Sequence, residues 1–518
     1  MRYFGIRAAA LMIFMMAGFV AACAGEDGAD KTETKADAAA RDVSPETAET
    51  RLSVPHAGKT LDCLVRTGLT PVHDAAGEEQ AKMFSVSYLL DGGARERPVL
   101  FVFNGGPGAS SYYLHVGVFG PKVFDTGGDG LEIPPPPYRL VDNPDTLLDV
   151  ADMVFVDPVG TGYSRASKAE KDDDKAKGAT EKDFWEVDKD IESVAEFIRV
   201  WLLENGRWGA PVYIAGESYG GLRAAGLASG LEDIGIAPSG VILVSPAISY
   251  QELAGNSENY AAVVTQIPSL TAVAHYHGRL HPELQGLSRD DAVAKAVEWA
   301  RGSLLPGLWD GNRIPADEFD ALVDAMSYYT GIEAAEIRAR RLQLSNDVFN
   351  SLLLRDRGVF LSLYDGRMTA PGSRYAYGED PAFVISGEPY RTAYMRYLNE
   401  TLGLKVMRPY VYLSRETNRA WDFTQGARGL AGYPSTGPRL GEAMRRLPFL
   451  RVFLATGRYD VLTTAESALQ TMARLDVPRE RLERNFISHM YEGGHMFYTN
   501  ANERRRLCDD LRDWMKSK

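Results

Sequence analysis

Pro211-Val212-Tyr213-Ile214-Ala215-Gly216-Glu217-Ser218-Tyr219-Gly220-Gly221 reads as an apolar strand running into a serine and then into a helix that opens on small residues. The pattern Gly-x-Ser-x-Gly permits a strained strand-to-helix turn, because small flanking residues let the chain close tightly and lift the serine hydroxyl clear of the sheet. A helix N-terminus behind that serine supplies backbone N–H groups and a partial positive charge for a developing oxyanion. Taken alone the pattern also fits an ordinary turn. A nucleophile at Ser218 therefore requires a base, an acid that orients the base and an oxyanion loop elsewhere in the chain.

Working outward, Lys82 to Leu90 alternates as a strand, and Pro98 to Phe103 is a continuous apolar run suited to a buried one. It stops at Asn104-Gly105-Gly106-Pro107-Gly108-Ala109-Ser110-Ser111, a glycine-rich loop that leaves backbone N–H groups open to a substrate. Asp152 to Val156 is another buried strand, followed by Asp157 to Ser164 and a charged, solvated run from Lys168 to Asp183. Phe184, Val187, Ile191, Val194, Ile198 and Trp201 recur at helical spacing, and Gly240 to Val244 is the next strand. This alternation predicts an α/β sheet with crossovers. From about Tyr250 to Arg408 the strand rhythm disappears; 290–301, 317–328, 333–344 and 391–401 read as helices of a cap laid over the sheet edge. Strands resume at Leu450 to Ala455 and near Arg484 to Met490, leading into Arg458-Tyr459-Asp460 and Gly493-Gly494-His495-Met496. Loops after strands are where such folds place their chemistry.

The 518 residues allow a large core, with 45% hydrophobic and 25% charged residues. A net charge of −13 leaves no basic footprint, which argues against nucleic acid as a partner. Arg2 and Arg7 precede the apolar run Ala8 to Val20 and the small residues Ala21-Ala22 before Cys23, the pattern of a bacterial lipoprotein signal with Cys23 as the lipid-modified residue. A plain secretory signal is the alternative, and either way export to the periplasm or cell surface is expected. Residues 24 to about 50 lack large apolar side chains and read as a disordered tether. Cys63 and Cys508 remain in the folded part; an oxidising compartment permits them to pair, and the sequence leaves pairing and two free thiols open. His275, His277 and His281 lack a companion carboxylate or cysteine at ligand spacing, so no metal and no cofactor are expected.

The chain order Ser218, Asp460, His495 is that of α/β-hydrolase triads. Asp365 and Asp422 are rival carboxylates on less convincing strands, and His489 lies within the last strand while His495 lies just past it. Together with Gly120-Pro121, Val159-Gly160-Thr161-Gly162-Tyr163-Ser164 and Gly494-His495-Met496, the Asn104 loop and the Ser218 turn resemble the serine carboxypeptidases of the carboxypeptidase Y and cathepsin A family. The resemblance implies an α/β-hydrolase fold, Ser218, Asp460 and His495 as triad, and the Gly106 and Tyr219 N–H groups as oxyanion hole. It also implies that Asn104, Gly105 and Glu217 receive a peptide's terminal carboxylate and that Met496 lines a side-chain pocket. The chain departs from the family at Val118, where a second glutamate usually pairs with the one beside the nucleophile, and at Val102 and Ala109, where Trp and Cys are common.

The expected organisation is a signal peptide over 1–22, a tether over 23–50, an α/β-hydrolase core over 51–249 and 409–518, and a helical cap over 250–408. Peptides are the expected substrates; the oligomeric state is open. An aminopeptidase of the prolyl type and an esterase or acyltransferase share the fold and a similar loop, and a surface binding lipoprotein on a dead hydrolase fold is the alternative from another class.

Overall fold

A computed structural model describes residues 48–132, 134–168, 178–253, 259–425 and 432–517. The expected signal, Cys23 and nearly all of the expected tether lie outside these residues. The continuous apolar runs become the centre of a ten-stranded sheet. Its strands are β1 (Ala48–His56), β2 (Lys59–His73), β3 (Glu79–Leu90), β4 (Val99–Phe103), β5 (Asp152–Val156), β6 (Val212–Glu217), β7 (Pro238–Val244), β8 (Arg451–Gly457) and β9 (Phe486–Tyr491), with the two-residue strand Arg165–Ala166 beside β3. The order is β1-β2-β3-β5-β4-β6-β7-β8-β9; β1, β2, β3 and β5 pair antiparallel, and β5 through β9 pair parallel.

Every residue of β4, β5 and β6 is buried, because both faces of the sheet are covered. Leu100 and Val102 face one core with Tyr112, Tyr390, Cys508 and Trp514, while Val99, Phe101 and Phe103 face another with Val194, Ile198 and Trp201. The second core is closed by α1 (Val187–Glu204), which buries the apolar stripe read from its spacing, and by α2 (Tyr219–Asp233). Asp188 and Asp190 sit in the first turn of α1, where the helix dipole favours negative charge.

Between β7 and β8 no strand joins the large sheet among the described residues. Instead α3 (Tyr260–Tyr276), α4 (Arg289–Trp299) and α5 (Ala316–Thr330) build a third apolar cluster that takes in Tyr459 and Val461 from the loop after β8. The helix expected over 333–344 ends at Ala339, because Arg341 and Leu342 adopt left-handed φ of 52° and 65°. Farther on, α6 (Glu388–Arg396) and α7 (Ala501–Lys516) lie against the first core.

Two expectations change at the N-terminus. The tether expected to run to Thr50 gives way to strand at Ala48, and β1 and β2 form a hairpin not foreseen from sequence. Its two-residue turn, Ala57-Gly58, has φ of 46° and 75°, the left-handed pair that matches the twist of flanking strands. Cys63 on β2 and Cys508 on α7 are both buried and unpaired. Burial pushes the Cys63 thiol up to about 12, so its environment disfavours a thiolate.

Candidate active site

The chain leaves β4 for β5 on one side and then crosses to β6 on the other. The carboxyl ends of β4 and β6 therefore flank the point where winding reverses, the place where open α/β sheets form a crevice. Asn104 follows β4 and Ser218 follows β6. Ser218 has φ 59° and ψ −127°, a strained conformation costing on the order of 1–3 kcal/mol. Two glycines make the turn possible: a Cβ on Gly216 would fall 1.9 Å from the Gly220 carbonyl oxygen, and one on Gly220 would fall 2.9 Å from that of Asn104. The result is a half-buried serine at the N-terminus of α2, and its hydroxyl makes no hydrogen bond among the described residues.

Asp460 follows β8 and His495 follows β9, so parallel pairing brings both to the same edge as Ser218. His495 Nδ1 lies 2.8 Å from Asp460 Oδ2. Asp460 is fully buried, and its other oxygen accepts the N–H groups of Leu462 and Thr463 at 2.9 and 2.8 Å. A carboxylate on Nδ1 selects the tautomer that carries its proton there, leaving the Nε2 lone pair free to act as a base. Burial pushes the His495 imidazolium down, but the Asp460 charge and hydrogen bond, joined by Glu217, push it up by more and leave it above the usual imidazole value. The rival carboxylates have other partners: Asp365 pairs with Arg367 and accepts the Gly494 N–H at 2.9 Å, and Asp422 accepts the Thr424 N–H and hydroxyl at 2.8 Å.

Thr463 and Ser245, not singled out from sequence, tie these loops together with Asp365. The Thr463 hydroxyl lies 2.8 Å from Asp460 Oδ2, 2.8 Å from the Ser245 carbonyl and 2.9 Å from His495 Nδ1. Ser245 donates its own hydroxyl to the His495 carbonyl at 2.8 Å. Asp365 and the Tyr364 carbonyl, which accepts the His495 N–H at 2.5 Å, hold the Gly494-His495 backbone from the helical side.

The Asn104 loop lies directly on the serine turn, since a Cβ on Gly105 would meet the Tyr219 nitrogen at 2.4 Å. The Gly106 and Tyr219 N–H groups have no hydrogen-bond partner among the described residues. The loop is braced from outside: Ser110 N–H donates to the Tyr412 carbonyl, Ser414 N–H to that of Gly108, and Arg223 to that of Asn104 at 2.8 Å. Buried Asp157 accepts the Ser111 N–H and hydroxyl on one oxygen and the Tyr410 hydroxyl on the other, which makes Asp157 a support of the loop. Burial pushes the Asp157 carboxyl up to about 6.

Glu217 is buried beside the serine. It accepts hydrogen bonds from the Asn104 amide and, at 2.5 Å, from the Tyr498 hydroxyl. Burial raises its pKa; the His495 charge and the bonds from Tyr498 and Asn104 oppose that without cancelling it. Val118 is fully buried among apolar side chains and offers Glu217 no polar atom. Met496 is half-buried on the same cluster as Tyr113 and Tyr390. The three histidines of the helical block each have a local bond: His275 and His277 to carbonyl oxygens at 3.1 and 2.8 Å, His281 as a helix cap. Among the described residues no three His, Cys, Asp or Glu side chains are grouped to hold a metal ion.

Residues 58–233 match the family model for serine carboxypeptidases. The carboxypeptidase Y homolog of Arthroderma benhamiae is 29% identical over 180 residues, 34% of this chain and 29% of the relative. Serine carboxypeptidase-like 14 of Arabidopsis thaliana is 30% identical over 161 residues, 30% of this chain and 32% of the relative. The matched stretch thus spans about a third of these relatives' length. The crystal structure of Kex1(delta)p, a prohormone-processing carboxypeptidase from Saccharomyces cerevisiae, is similar with a TM-score of 0.51 at 13% identity, covering 87% of this chain and 91% of that one; this likeness concerns the fold. The Asn104 loop and the Ser218 turn both lie inside the stretch that matches the serine carboxypeptidase family model, and the sheet that carries them has the fold of that yeast carboxypeptidase.

Proposed function

We propose that the chain is a serine carboxypeptidase that releases C-terminal residues from peptides through an acyl-enzyme on Ser218. The observation that carries this is Glu217: a buried acid directly beside a strained serine, held by Asn104 and Tyr498 and biased by burial toward its neutral form. A permanently charged acid there would hinder a nucleophile, whereas a protonated one donates a hydrogen bond to a substrate carboxylate.

In this reading Ser218 Oγ attacks the last peptide carbonyl while His495 Nε2 takes its proton, and Asp460 holds the imidazole and offsets its positive charge. The Gly106 and Tyr219 N–H groups stabilise the tetrahedral oxyanion, at about 3 kcal/mol each. Collapse breaks the C–N bond and His495 returns the proton to the leaving amine. Water, activated by His495, then hydrolyses the acyl-enzyme and restores the serine. Asn104, Gly105 and Glu217 hold the terminal carboxylate, Met496 borders the side-chain pocket, and the helices of 250–408 cap the crevice.

The lipid anchor at Cys23 and export rest on the sequence of residues 1–23, and membrane release of a Cys23→Ser variant tests them. For the activity, the full chain is incubated with defined peptides and the products are weighed by mass spectrometry. Loss of single residues from the C-terminus is expected. Loss from the N-terminus means an aminopeptidase, ester turnover without peptide cleavage means an esterase, and no turnover of either contradicts the proposal.

A further inference from the structure

The two donors to Glu217 differ in kind. Asn104 is fixed at its other end, where Oδ1 accepts the Leu114 N–H at 3.1 Å, so its NH2 group must face Glu217. Tyr498 reaches Glu217 from the short turn Phe497–Thr499, three residues after His495, and its ring is fully buried. That ring lies on Gly117: a Cβ there would come within 2.9 Å of Tyr498 Cε2 and 3.5 Å of Tyr390 Cε1. Backbone and ring thus fix the tyrosine, and its hydroxyl has Glu217 as its one hydrogen-bond partner among the described residues.

We propose that Tyr498 is the positioning residue of terminal-carboxylate recognition: by anchoring one oxygen of Glu217 it aims the other oxygen, with its proton, at the free carboxylate of a bound peptide. The inference rests on the carboxypeptidase reading and adds to it the group that orients the reader.

A hydroxyl in this place has a consequence that a second carboxyl would not. Glu217 is faced by His495 and Asp460 from the loops after β9 and β8, by Asn104 from the loop after β4, by Tyr113 from the turn Tyr112–Leu114, by Tyr390 from α6 and by Tyr498. Burial raises the three tyrosines above their ordinary range, so they remain protonated while Glu217 titrates. Tyr498 therefore never competes for the Glu217 proton; as a donor to the anion it lowers the pH at which that proton is lost. Removing the hydroxyl should hold Glu217 neutral to higher pH, on the order of one pH unit for a lost bond to a charged group.

The test uses the full chain carrying Ser218→Ala, so that ligands bind without turnover, with and without Tyr498→Phe. Calorimetry from about pH 5 to about pH 9 follows an N-acylated dipeptide acid and its amide. Gly117→Ala, which displaces the ring while keeping the hydroxyl, is the second variant. The expected result is that acid binding persists to higher pH in both variants while amide binding does not move. Unchanged acid profiles, or equal shifts for acid and amide, overturn the role of Tyr498. If the Ser218→Ala protein shows no preference for the acid at any pH, the carboxypeptidase reading itself falls and the inference with it.

Discussion

Two buried carboxyl groups stand at the same edge of the sheet, and they are held differently. Asp460 accepts two backbone N–H groups, a threonine hydroxyl and an imidazole. Glu217 accepts two side-chain donors and lies beside His495 without a bond to it among the described residues. The first donor set is fixed by the main chain and suits a carboxylate that holds one imidazole in place. The second leaves burial as the largest influence and suits a group that must change protonation when a charged substrate arrives. In the proposed function one fold thus supplies an acid that orients a base and an acid that reads a ligand, distinguished by their donors and not by residue type.

Exchanging the first carboxylate should have the largest effect. Asp460→Asn removes the group that selects the Nδ1–H tautomer of His495, and kcat should fall by about 10⁴-fold for peptide and ester alike, measured by steady-state kinetics near neutral pH. Glu217→Gln should separate the two corners. A glutamine is a neutral donor at all pH values, so kcat/KM for peptide acids should lose its alkaline decline, about tenfold per pH unit in the parent, while ester hydrolysis keeps its profile. A loss equal for both substrates would merge the two roles.

The smallest effect concerns stability. The Asp157 carboxyl moves from an ordinary 3.8 to about 6 in the folded protein. The folded state therefore binds the proton more tightly, and this group's contribution is full below about pH 4 and lost as pH rises through about 6, by up to about 3 kcal/mol. Asp157→Asn should flatten that part of the decline in denaturant titrations between these pH values. A decline unchanged in the variant would place its cause elsewhere.

The central strands and the serine turn were legible because burial on both faces writes continuous apolar runs and the turn demands small residues at fixed offsets. Asp460 was favoured over Asp365 and Asp422 because it follows the more convincing strand, and its pairing with His495 agrees. The β1–β2 hairpin was not legible, since the edge strand β1 is mostly exposed or half-buried and Ala57-Gly58 is an uncommon pair for its turn. Nor was Tyr498: between Phe497 and Thr499 it reads as core, and its partner lies 281 residues earlier. Such a contact leaves no local pattern. The only trace in sequence was the vacancy of polarity at Val118, which showed that Glu217 lacked its expected partner but not what replaced it.

The central claim is that Glu217 must be protonated to receive a terminal carboxylate, and the pH dependence of kcat/KM in the parent protein tests it most directly. A peptide acid, the corresponding amide and an ester are compared. All three should rise together through the His495 titration, whose midpoint lies above the ordinary imidazole value. The peptide acid alone should then fall at higher pH as Glu217 ionises. Superimposable profiles for acid, amide and ester across the whole range would contradict the claim.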